Sequence, residues 1–461
     1  MPQPPLSAAD TVARRLADSG HDHVKVAVAD IDGVLRGKYM ARDKFMTALT
    51  DGFGFCDVVL GWDIADGLYA LPDSGEKRLT GWHTGFPDAA VRIVPESGRS
   101  IPFEDGLPLF LAEFTGEAGA ICPRTVLRRV LDRAHAMGFG VRAAFEYEFF
   151  LFAETPHSAR AKNYHGLVPV APGNTGYSLL RATAGADFYR DLLSTCSAMD
   201  IPLEGLHEEM GAGALEAAIT VTDGLAAADR AVLFKTIAKA VAQRHGKMAT
   251  FMARWSTAEA GQSGHIHLSL TKKRGGKPAF ADRDGADGMS AAMRAFIAGQ
   301  QALMPEFCAL YAPTVNSYRR LRPGAWAPSA ASWGHDNRTV ALRVIGGAPK
   351  AARVEFRAAG ADANPYLALA AALAAGLYGI EQELAPSSPV TGNAYEARLP
   401  RRLALPGSLD AAAARLRKSA VAREWFGAVF IDHFADSRAW EVQEFSRAVT
   451  DWELRRYFEL I

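Results

Sequence analysis

The most informative segment of this chain reads Ala351-Ala-Arg-Val-Glu-Phe-Arg-Ala-Ala-Gly-Ala-Asp-Ala-Asn-Pro-Tyr-Leu-Ala-Leu-Ala-Ala371. Its first half alternates charged with apolar residues, so Arg353, Glu355 and Arg357 would share one face of a β-strand. Such a charged row lies either in solvent at a sheet edge or in a functional site. The same alternation recurs elsewhere in the chain with complementary groups, which favours a site.

The second half of this segment predicts a buried helix. Asn364 suits an N-cap and Pro365 suits the first helical position. The apolar run that follows, Tyr366 to Ile380, is shorter than the roughly 20 residues that a membrane-spanning helix needs. We therefore expect a core helix and no membrane partner.

Two further strand-like segments carry the complementary groups. One presents Glu146 and Glu148 on a single face, with aromatic residues on the other. Another presents two imidazoles and a hydroxyl, at His265, His267 and Ser269. Like charges two residues apart repel, so a strand otherwise this apolar seldom retains both carboxylates unless a cation lies between them.

A third acidic segment runs from His207 to Glu216. Its two glycines, Gly211 and Gly213, predict a bend or bulge that brings Glu208 close to Glu216. Carboxylate oxygens with a single imidazole favour Mg²⁺ or Mn²⁺ over Zn²⁺. The three segments together predict a divalent-metal site.

Arginines and a lysine follow in loops further along the chain, at Arg320, Arg338, Arg343 and Lys350. Guanidinium groups beside divalent ions suit phosphoryl transfer, because its transition state needs positioning and charge neutralisation. A surface role remains the alternative for any one of them. Their combination with the carboxylates and imidazoles favours a phosphoryl-transfer site.

Five segments, in this order, resemble glutamine synthetase: 146–152, 208–216, 263–270, 316–324 and 349–367. The resemblance covers roughly residues 120–380. It implies ATP as cofactor with Mg²⁺ or Mn²⁺, and a two-step reaction in which ATP phosphorylates the γ-carboxylate of L-glutamate before an amine displaces phosphate. The absence of a Gly-x-x-x-x-Gly-Lys loop agrees, because the family binds ATP at the mouth of a barrel.

The resemblance also implies a role for each matching residue. One metal ion would be held by Glu148, Glu208 and Glu216, and a second by Glu146, His265 and Glu355. The substrate residues would be Gly261, His265, Arg320, Arg338 and Arg357. The nucleotide would contact His267, Ser269, Arg343, Lys350 and Arg353. The catalytic arginines would be Arg320, Arg338, Arg343 and Arg357. We add Trp326 to the catalytic group as the residue that decides the nucleophile, although it does not match the family.

The chain departs from the family where ammonium would bind. Trp326 stands in place of the flap glutamate, in Arg322-Pro-Gly-Ala-Trp-Ala-Pro328. Ala260 replaces the asparagine before Gly261, and Ala214 replaces the usual glutamine. This pattern resembles the γ-glutamyl-amine ligases, so we expect an ATP-dependent glutamate–amine ligase acting on a small organic amine.

Several alternatives stay open from the sequence. The chain could be a glutamine synthetase that uses ammonia, or a non-catalytic relative, and Trp326 could be a packed loop residue. The acidic residue that a neighbouring subunit supplies in the family would be Asp57 or Asp63. Tyr395 lies in a segment resembling a loop that is adenylylated in some synthetases, although turn packing is the preferred interpretation.

Composition agrees with a cytoplasmic metabolic enzyme. The 461 residues include 51 Lys and Arg against 51 Asp and Glu, so a nucleic-acid partner is not expected. The four cysteines are scattered, which predicts reduced thiols and no disulfide framework. The amino terminus shows no secretion signal.

The predicted fold is α+β in two domains. Residues 1–118 would form a small β-grasp-like domain, with a hairpin turn at Asp32-Gly33. Residues 119–461 would form a glutamine-synthetase-type catalytic domain built on an incomplete antiparallel barrel. By resemblance alone, the chain would assemble into hexameric rings or a homododecamer, with active sites between subunits.

Overall fold

The computed structural model describes residues 7–69, 79–174, 176–282 and 284–461. Its strands are β1 His23–Ala29, β2 Leu35–Ala41, β3 Phe53–Cys56, β4 Asp88–Ile93, β5 Arg99–Ile101, β6 Leu107–Phe114, β7 Phe139–Phe152, β8 Leu203–Glu208, β9 Ala214–Ile219, β10 Thr222–Asp223, β11 Met248–Thr250, β12 Gly264–Lys272, β13 Trp333–His335, β14 Leu342–Ile345 and β15 Arg353–Phe356. Its helices are α1 Ala8–Asp18, α2 Arg42–Asp51, α3 Pro123–Ala136, α4 Pro156–Ala161, α5 Leu179–Ala184, α6 Ala186–Ala198, α7 Gly224–Arg244, α8 Ala291–Tyr311, α9 Ser317–Arg320, α10 Pro365–Glu381, α11 Leu409–Lys418, α12 Ala420–Phe426, α13 Ala428–Arg447 and α14 Asp451–Tyr457.

The first sheet has the strand order β2-β1-β6-β4-β3, with β5 paired to β6. Its β1–β2 hairpin turns at Asp32-Gly33, as the sequence predicts. Gly33 has a φ of +80°, and a Cβ there would lie 3.1 Å from the Cα of Asn364. Because Asn364 also donates to the carbonyl oxygens of Asp30 and Ile31, the hairpin turn is attached to the start of α10.

The second sheet has the order β13-β14-β15-β12-β7-β9-β8, with β10 and β11 also paired to β7. Its pairings are antiparallel except that of β13 with β14. One face packs aromatic residues, including Tyr147 and Phe149, against Phe234 of α7. Its opposite face carries the charged residues of the predicted site. The α+β fold with an incomplete antiparallel barrel is therefore confirmed.

The segment 351–371 forms a strand and a helix, as predicted. The strand β15 lies between β14 and β12, so its charged row is inside the sheet and not at a solvated edge. Asn364 caps α10 by accepting from the amide of Tyr366. This helix crosses α8 at close range, because a Cβ on Gly379 would lie 2.0 Å from the carbonyl oxygen of Ala295.

In the part of the chain that the structure describes, no helix combines the length and hydropathy needed to cross a membrane. All four cysteines are free, in agreement with the expectation of reduced thiols.

A buried ionic network joins the first sheet to the helices behind the second. Glu113 of β6 accepts from Arg92, Arg124 and Arg128. Arg124 also donates two hydrogen bonds to Asp229 of α7, at 2.9 and 3.0 Å. The network therefore connects the two sheets through α3 and α7.

Candidate active site

The register of the second sheet brings the predicted acidic and imidazole residues together on one face. His265 of β12 lies directly opposite Glu146 of β7. On the other side of β7, Glu148 lies opposite Glu216 of β9. Glu355 of β15 pairs with His267 of β12 and extends the same face. Residues that are far apart in the chain thus form one continuous row across four strands.

His265 is at the centre of this row. Its Nδ1 lies 3.0 Å from Oε1 of Glu146 and 3.4 Å from Oε1 of Glu355. Its Nε2 is buried and has no hydrogen-bond partner among the described residues. A buried polar atom without a partner is costly in a folded protein, so this nitrogen is available to a ligand.

The carboxylates of the row are electrostatically unbalanced. Burial, together with repulsion from Glu146 and Glu148, raises the pKa of Glu216 to about 9. Burial acts in the same direction on Glu146, but hydrogen bonds from His265 and His267 hold its pKa well below the ordinary value. Carboxyl groups are therefore crowded on the β9 side of the row, and Glu216 keeps its proton near neutral pH unless a cation offsets this repulsion.

Several of these ligand atoms are close enough to share a cation. Donor atoms of Glu146, Glu216 and His265 lie within 4.8 Å of one another, and those of Glu146, His267 and Glu355 do so as well. The unpartnered His265 nitrogen and the charge imbalance at Glu216 both fit a divalent cation. Carboxylate oxygens and few imidazoles suit Mg²⁺ or Mn²⁺.

The structure does not place Glu208 in this cluster, in contrast to the sequence prediction. Its side chain is buried on the other face of β8, where Oε1 accepts from the Tyr189 hydroxyl at 2.8 Å. Glu209 lies in the site instead, and its ligand atom is within 4.8 Å of those of His207 and Glu216. The reason is geometric, because neighbouring residues of an extended chain point to opposite faces.

Glu209 and Glu208 provide a matched pair of variants. We expect Glu209→Gln to raise the Mg²⁺ or Mn²⁺ concentration needed for half-maximal activity at least about tenfold, because one charged oxygen ligand is lost. Glu208→Gln should leave that concentration unchanged, since Glu208 faces Tyr189. Metal titrations of activity check both, and equal responses of the two variants would contradict the assignment of Glu209.

Arginines border the cluster next to Glu355, which is 0% exposed. Arg343 donates to Oε2 of Glu355 at 2.9 Å, and Arg357 donates to Oε1. Although burial acts to raise it, His265 and Arg357 lower the pKa of Glu355 to about 2. Arg338 is exposed and lines the same cavity. The structure thus brings these predicted residues together.

Arg320 occupies a different position from the one predicted. It is 1% exposed and does not line the cavity formed by the described residues. Its guanidinium donates to the carbonyl oxygens of Ala358 and Arg357 and to Oγ of Ser263. Arg320 therefore lies beneath the cavity and fixes the backbone that carries Arg357, because backbone carbonyls and a hydroxyl occupy its donors.

Gly261 lies directly above Arg320 and lines the cavity. A Cβ on Gly261 would be 2.7 Å from Cγ of Arg320, so a side chain here would displace the arginine.

Four of the five residues assigned to the nucleotide line a second cavity of about 240 Å³. Its lining includes His267, Ser269, Lys350 and Arg353. Nε of Arg353 lies 3.2 Å from Nδ1 of His267. Glu146 lines both this cavity and the first one, whereas Arg343 lines the first only. The predicted nucleotide residues thus meet the metal cluster at Glu146.

Trp326 lies in the first cavity, which has a volume of about 330 Å³. It is 51% exposed and has a φ of +54°. A bulky side chain seldom adopts positive φ, and such strain is concentrated at functional sites. Phe150, Tyr177 and Met210, which the sequence analysis did not single out, also line this cavity.

Neither candidate for the ammonium-binding aspartate lines either of these two cavities. Asp63 accepts from the amides of Ala65 and Gly67 and from the Trp440 indole, so its carboxylate is used structurally. Asp57 is buried, and burial raises its pKa.

Tyr395 is half-buried, and its hydroxyl is shielded from solvent. Burial raises the pKa of this hydroxyl, while Arg357 and Arg320 act in the opposite direction. The position agrees with turn packing and not with an exposed modification site.

Comparison with known proteins identifies the family to which this site belongs. A family model described as the glutamine synthetase catalytic domain matches residues 120–457. The chain therefore belongs to the glutamine synthetase family of ATP-dependent ligases, which use divalent metal ions. The predicted resemblance is confirmed.

The relatives include proteins named as glutamine synthetases and proteins named as glutamate–amine ligases. The "Type-1 glutamine synthetase 2" of Dictyostelium discoideum is 42% identical, covering 99% of this chain and 87% of the relative. The glutamate–isopropylamine ligase of a Pseudomonas species is 37% identical, covering 95% of each chain. A solved structure described as GmaS without ligand has a TM-score of 0.82 and 27% identity, covering 97% of this chain and 99% of that one.

Proposed function

We propose that this protein is an ATP-dependent glutamate–amine ligase whose acceptor is an organic amine and not ammonia. The observation that carries the proposal is that Trp326 lines the cavity. In the sequence, this residue stands where the resemblance implies the family's flap glutamate. An indole has no carboxylate with which to hold ammonium or accept its proton. Its broad apolar face can instead cover the hydrocarbon part of a substituted amine.

In the first step, an oxygen of the glutamate γ-carboxylate attacks the terminal phosphorus of ATP. The bond from that phosphorus to ADP breaks, and γ-glutamyl phosphate forms. Arg338 and Arg343 border the cavity and supply fixed positive charge for the transferred phosphoryl group. A divalent ion held by the carboxylate cluster would supply further neutralisation of phosphate charge.

In the second step, the amine nitrogen attacks the γ-carbonyl carbon. The bond between that carbon and the phosphate oxygen breaks, and the departing phosphate takes the proton that the nitrogen loses. The products are a γ-glutamylamide and phosphate. Trp326 would exclude water from the acyl phosphate during this step, which limits its hydrolysis.

A glutamine synthetase that uses ammonia is the second candidate. It is favoured by the 42% identity to the Dictyostelium protein, which bears that name. The lack of a flap carboxylate at Trp326 and of an amide at Ala260 argues against it.

One substrate screen distinguishes the two candidates. Glutamate-dependent phosphate release would be measured with ammonia, putrescine, ethanolamine, isopropylamine and aniline. We expect an organic amine to give a higher kcat/KM than ammonia. A preference for ammonia over every organic amine would replace the proposal with the glutamine synthetase alternative.

The role of Trp326 predicts a change in amine preference. Trp326→Glu should lower kcat/KM for the preferred amine and raise it for ammonia, each about tenfold, because a carboxylate replaces an apolar wall. Trp326→Ala should impair bulky amines and leave the KM for ATP unchanged. Trp452→Glu is a matched control, since Trp452 is also exposed but lies outside both cavities. An unchanged preference in Trp326→Glu would instead indicate a packed loop residue.

Three further features remain proposals. We propose a domain boundary at residues 118 and 119, between β6 and α3. A cytoplasmic location and hexameric or dodecameric rings follow from the family resemblance. Gel filtration combined with light scattering tests the assembly.

A further inference from the structure

Gln262 stands out among the buried polar residues of the first cavity. It is 1% exposed, and neither its Oε1 nor its Nε2 has a hydrogen-bond partner in the described part of the chain. Its backbone is held on both sides, because its amide donates to the carbonyl of Ala253 and its carbonyl accepts from the amide of Ala361. The side chain alone is left unsatisfied.

An unsatisfied buried carboxamide needs an explanation in a native structure. Replacing such a group with an apolar one of similar size should cost nothing and could stabilise the fold. Gln262 lines the active-site cavity and does not line the other described cavities. Its polar atoms are therefore placed to meet a ligand in that cavity.

The chemistry of the carboxamide restricts which ligand this is. Its oxygen needs a donor and its nitrogen needs an acceptor. Phosphate oxygens offer only acceptors, and an alkylamine without a further polar group offers only its reacting nitrogen. The α-carboxylate and α-ammonium of an amino acid offer both an acceptor and a donor.

Two further features of the cavity lining fit an amino-acid ligand. Arg357 also lines it, and its Nε is buried without a partner among the described residues. Ala260 lacks the amide that the family carries two residues before Gln262. An amide is therefore present on the same segment, shifted by two positions.

We propose that Gln262 is a substrate-binding residue that contacts the α-carboxylate and α-ammonium groups of glutamate. This inference rests on glutamate being the acyl donor in the proposed function. It assigns to Gln262 the recognition of the amino-acid head group, at the opposite end of glutamate from the reacting γ-carboxylate.

The test uses hydroxylamine as acceptor, so that it does not depend on the identity of the natural amine. We expect Gln262→Leu to raise the KM for L-glutamate at least about tenfold, with little change in the KM for ATP. Gln262→Glu should raise it further, because its carboxylate repels the α-carboxylate. Without substrate, the melting temperature of Gln262→Leu should equal or exceed that of the parent. L-Glutamate should raise the melting temperature of this variant less than that of the parent.

A matched control is Gln300→Leu. Gln300 is also fully buried and its Oε1 has no partner among the described residues, but its Nε2 donates to the carbonyl of Ala372 and it does not line the cavity. This variant should melt lower and keep the parent's KM for L-glutamate. If Gln262→Leu behaves in the same way, Gln262 is structural and the inference is wrong. If the parent itself forms no glutamyl hydroxamate, the proposed function fails, and the inference fails with it.

Discussion

Glu355→Gln is expected to lower the rate of phosphoryl transfer at least about a hundredfold while the chain still folds. Glu355 is fully buried between Arg343, Arg357 and His265, and its carboxylate faces the cluster that we assign to a divalent cation. Glutamine keeps the shape but removes the negative charge. Single-turnover measurement of ADP formation at saturating Mg²⁺ would report the loss.

The control for this prediction is Glu306→Gln. Glu306 accepts a hydrogen bond from Ser419, and it lines neither cavity. Its activity should match that of the parent, and melting curves of both variants would show whether the fold persists. Turnover of Glu355→Gln within a few-fold of the parent would rule out a role for Glu355 at the transferred phosphate.

Glu113→Gln is expected to lower the free energy of unfolding by about 3–5 kcal/mol. Glu113 is 0% exposed and receives hydrogen bonds from three arginines. Loss of the negative charge of Glu113 would leave Asp229 as the remaining carboxylate that pairs with the buried guanidinium of Arg124. Urea unfolding, followed by fluorescence and circular dichroism, measures the effect.

The same carboxylate should make the parent sensitive to acid. Although burial acts to raise it, Arg124 and Arg128 hold the pKa of Glu113 below its ordinary value. The carboxylate therefore stabilises the fold above its unfolded pKa of about 4.3, and this contribution is lost as the pH falls through the lowered folded pKa. Glu113→Gln should lack this part of the pH dependence.

Glu104→Gln is the comparison variant for stability. Glu104 pairs with Lys25 at 2.6 Å, but both side chains are partly exposed to solvent. A partly exposed pair contributes about 1 kcal/mol or less. If Glu113→Gln destabilises the protein no more than Glu104→Gln does, the buried network does not stabilise the contact between the two sheets.

The sequence alone predicted the fold class, the main elements and most of the residues that line the site. Alternating charge identified the strands that carry Glu146, His265 and Glu355, and the capping residues located the start of α10. These predictions succeeded because side-chain direction in a strand and the caps of a helix are local properties.

The tertiary structure decided which side chains face the metal cluster and which line the substrate cavity. Gly211 and Gly213, both with positive φ, lie in the turn between Glu209 and Glu216, and across this turn Glu209 and not Glu208 lies close to Glu216. The carbonyl groups that bury Arg320 come from a segment 37 and 38 residues further along the chain. Local pattern contains no information on such partners, because they are set by how distant segments pack.

Gln262 shows most clearly the difference between what the sequence predicted and what only the tertiary structure revealed. Nothing in its immediate sequence distinguishes it from a buried core residue, and its unsatisfied carboxamide is evident only once the surrounding side chains are in place. The alternation of residues along the strands determined which charges share a face. Only the packing of distant segments determined which polar atoms are satisfied within the protein and which remain available to a substrate.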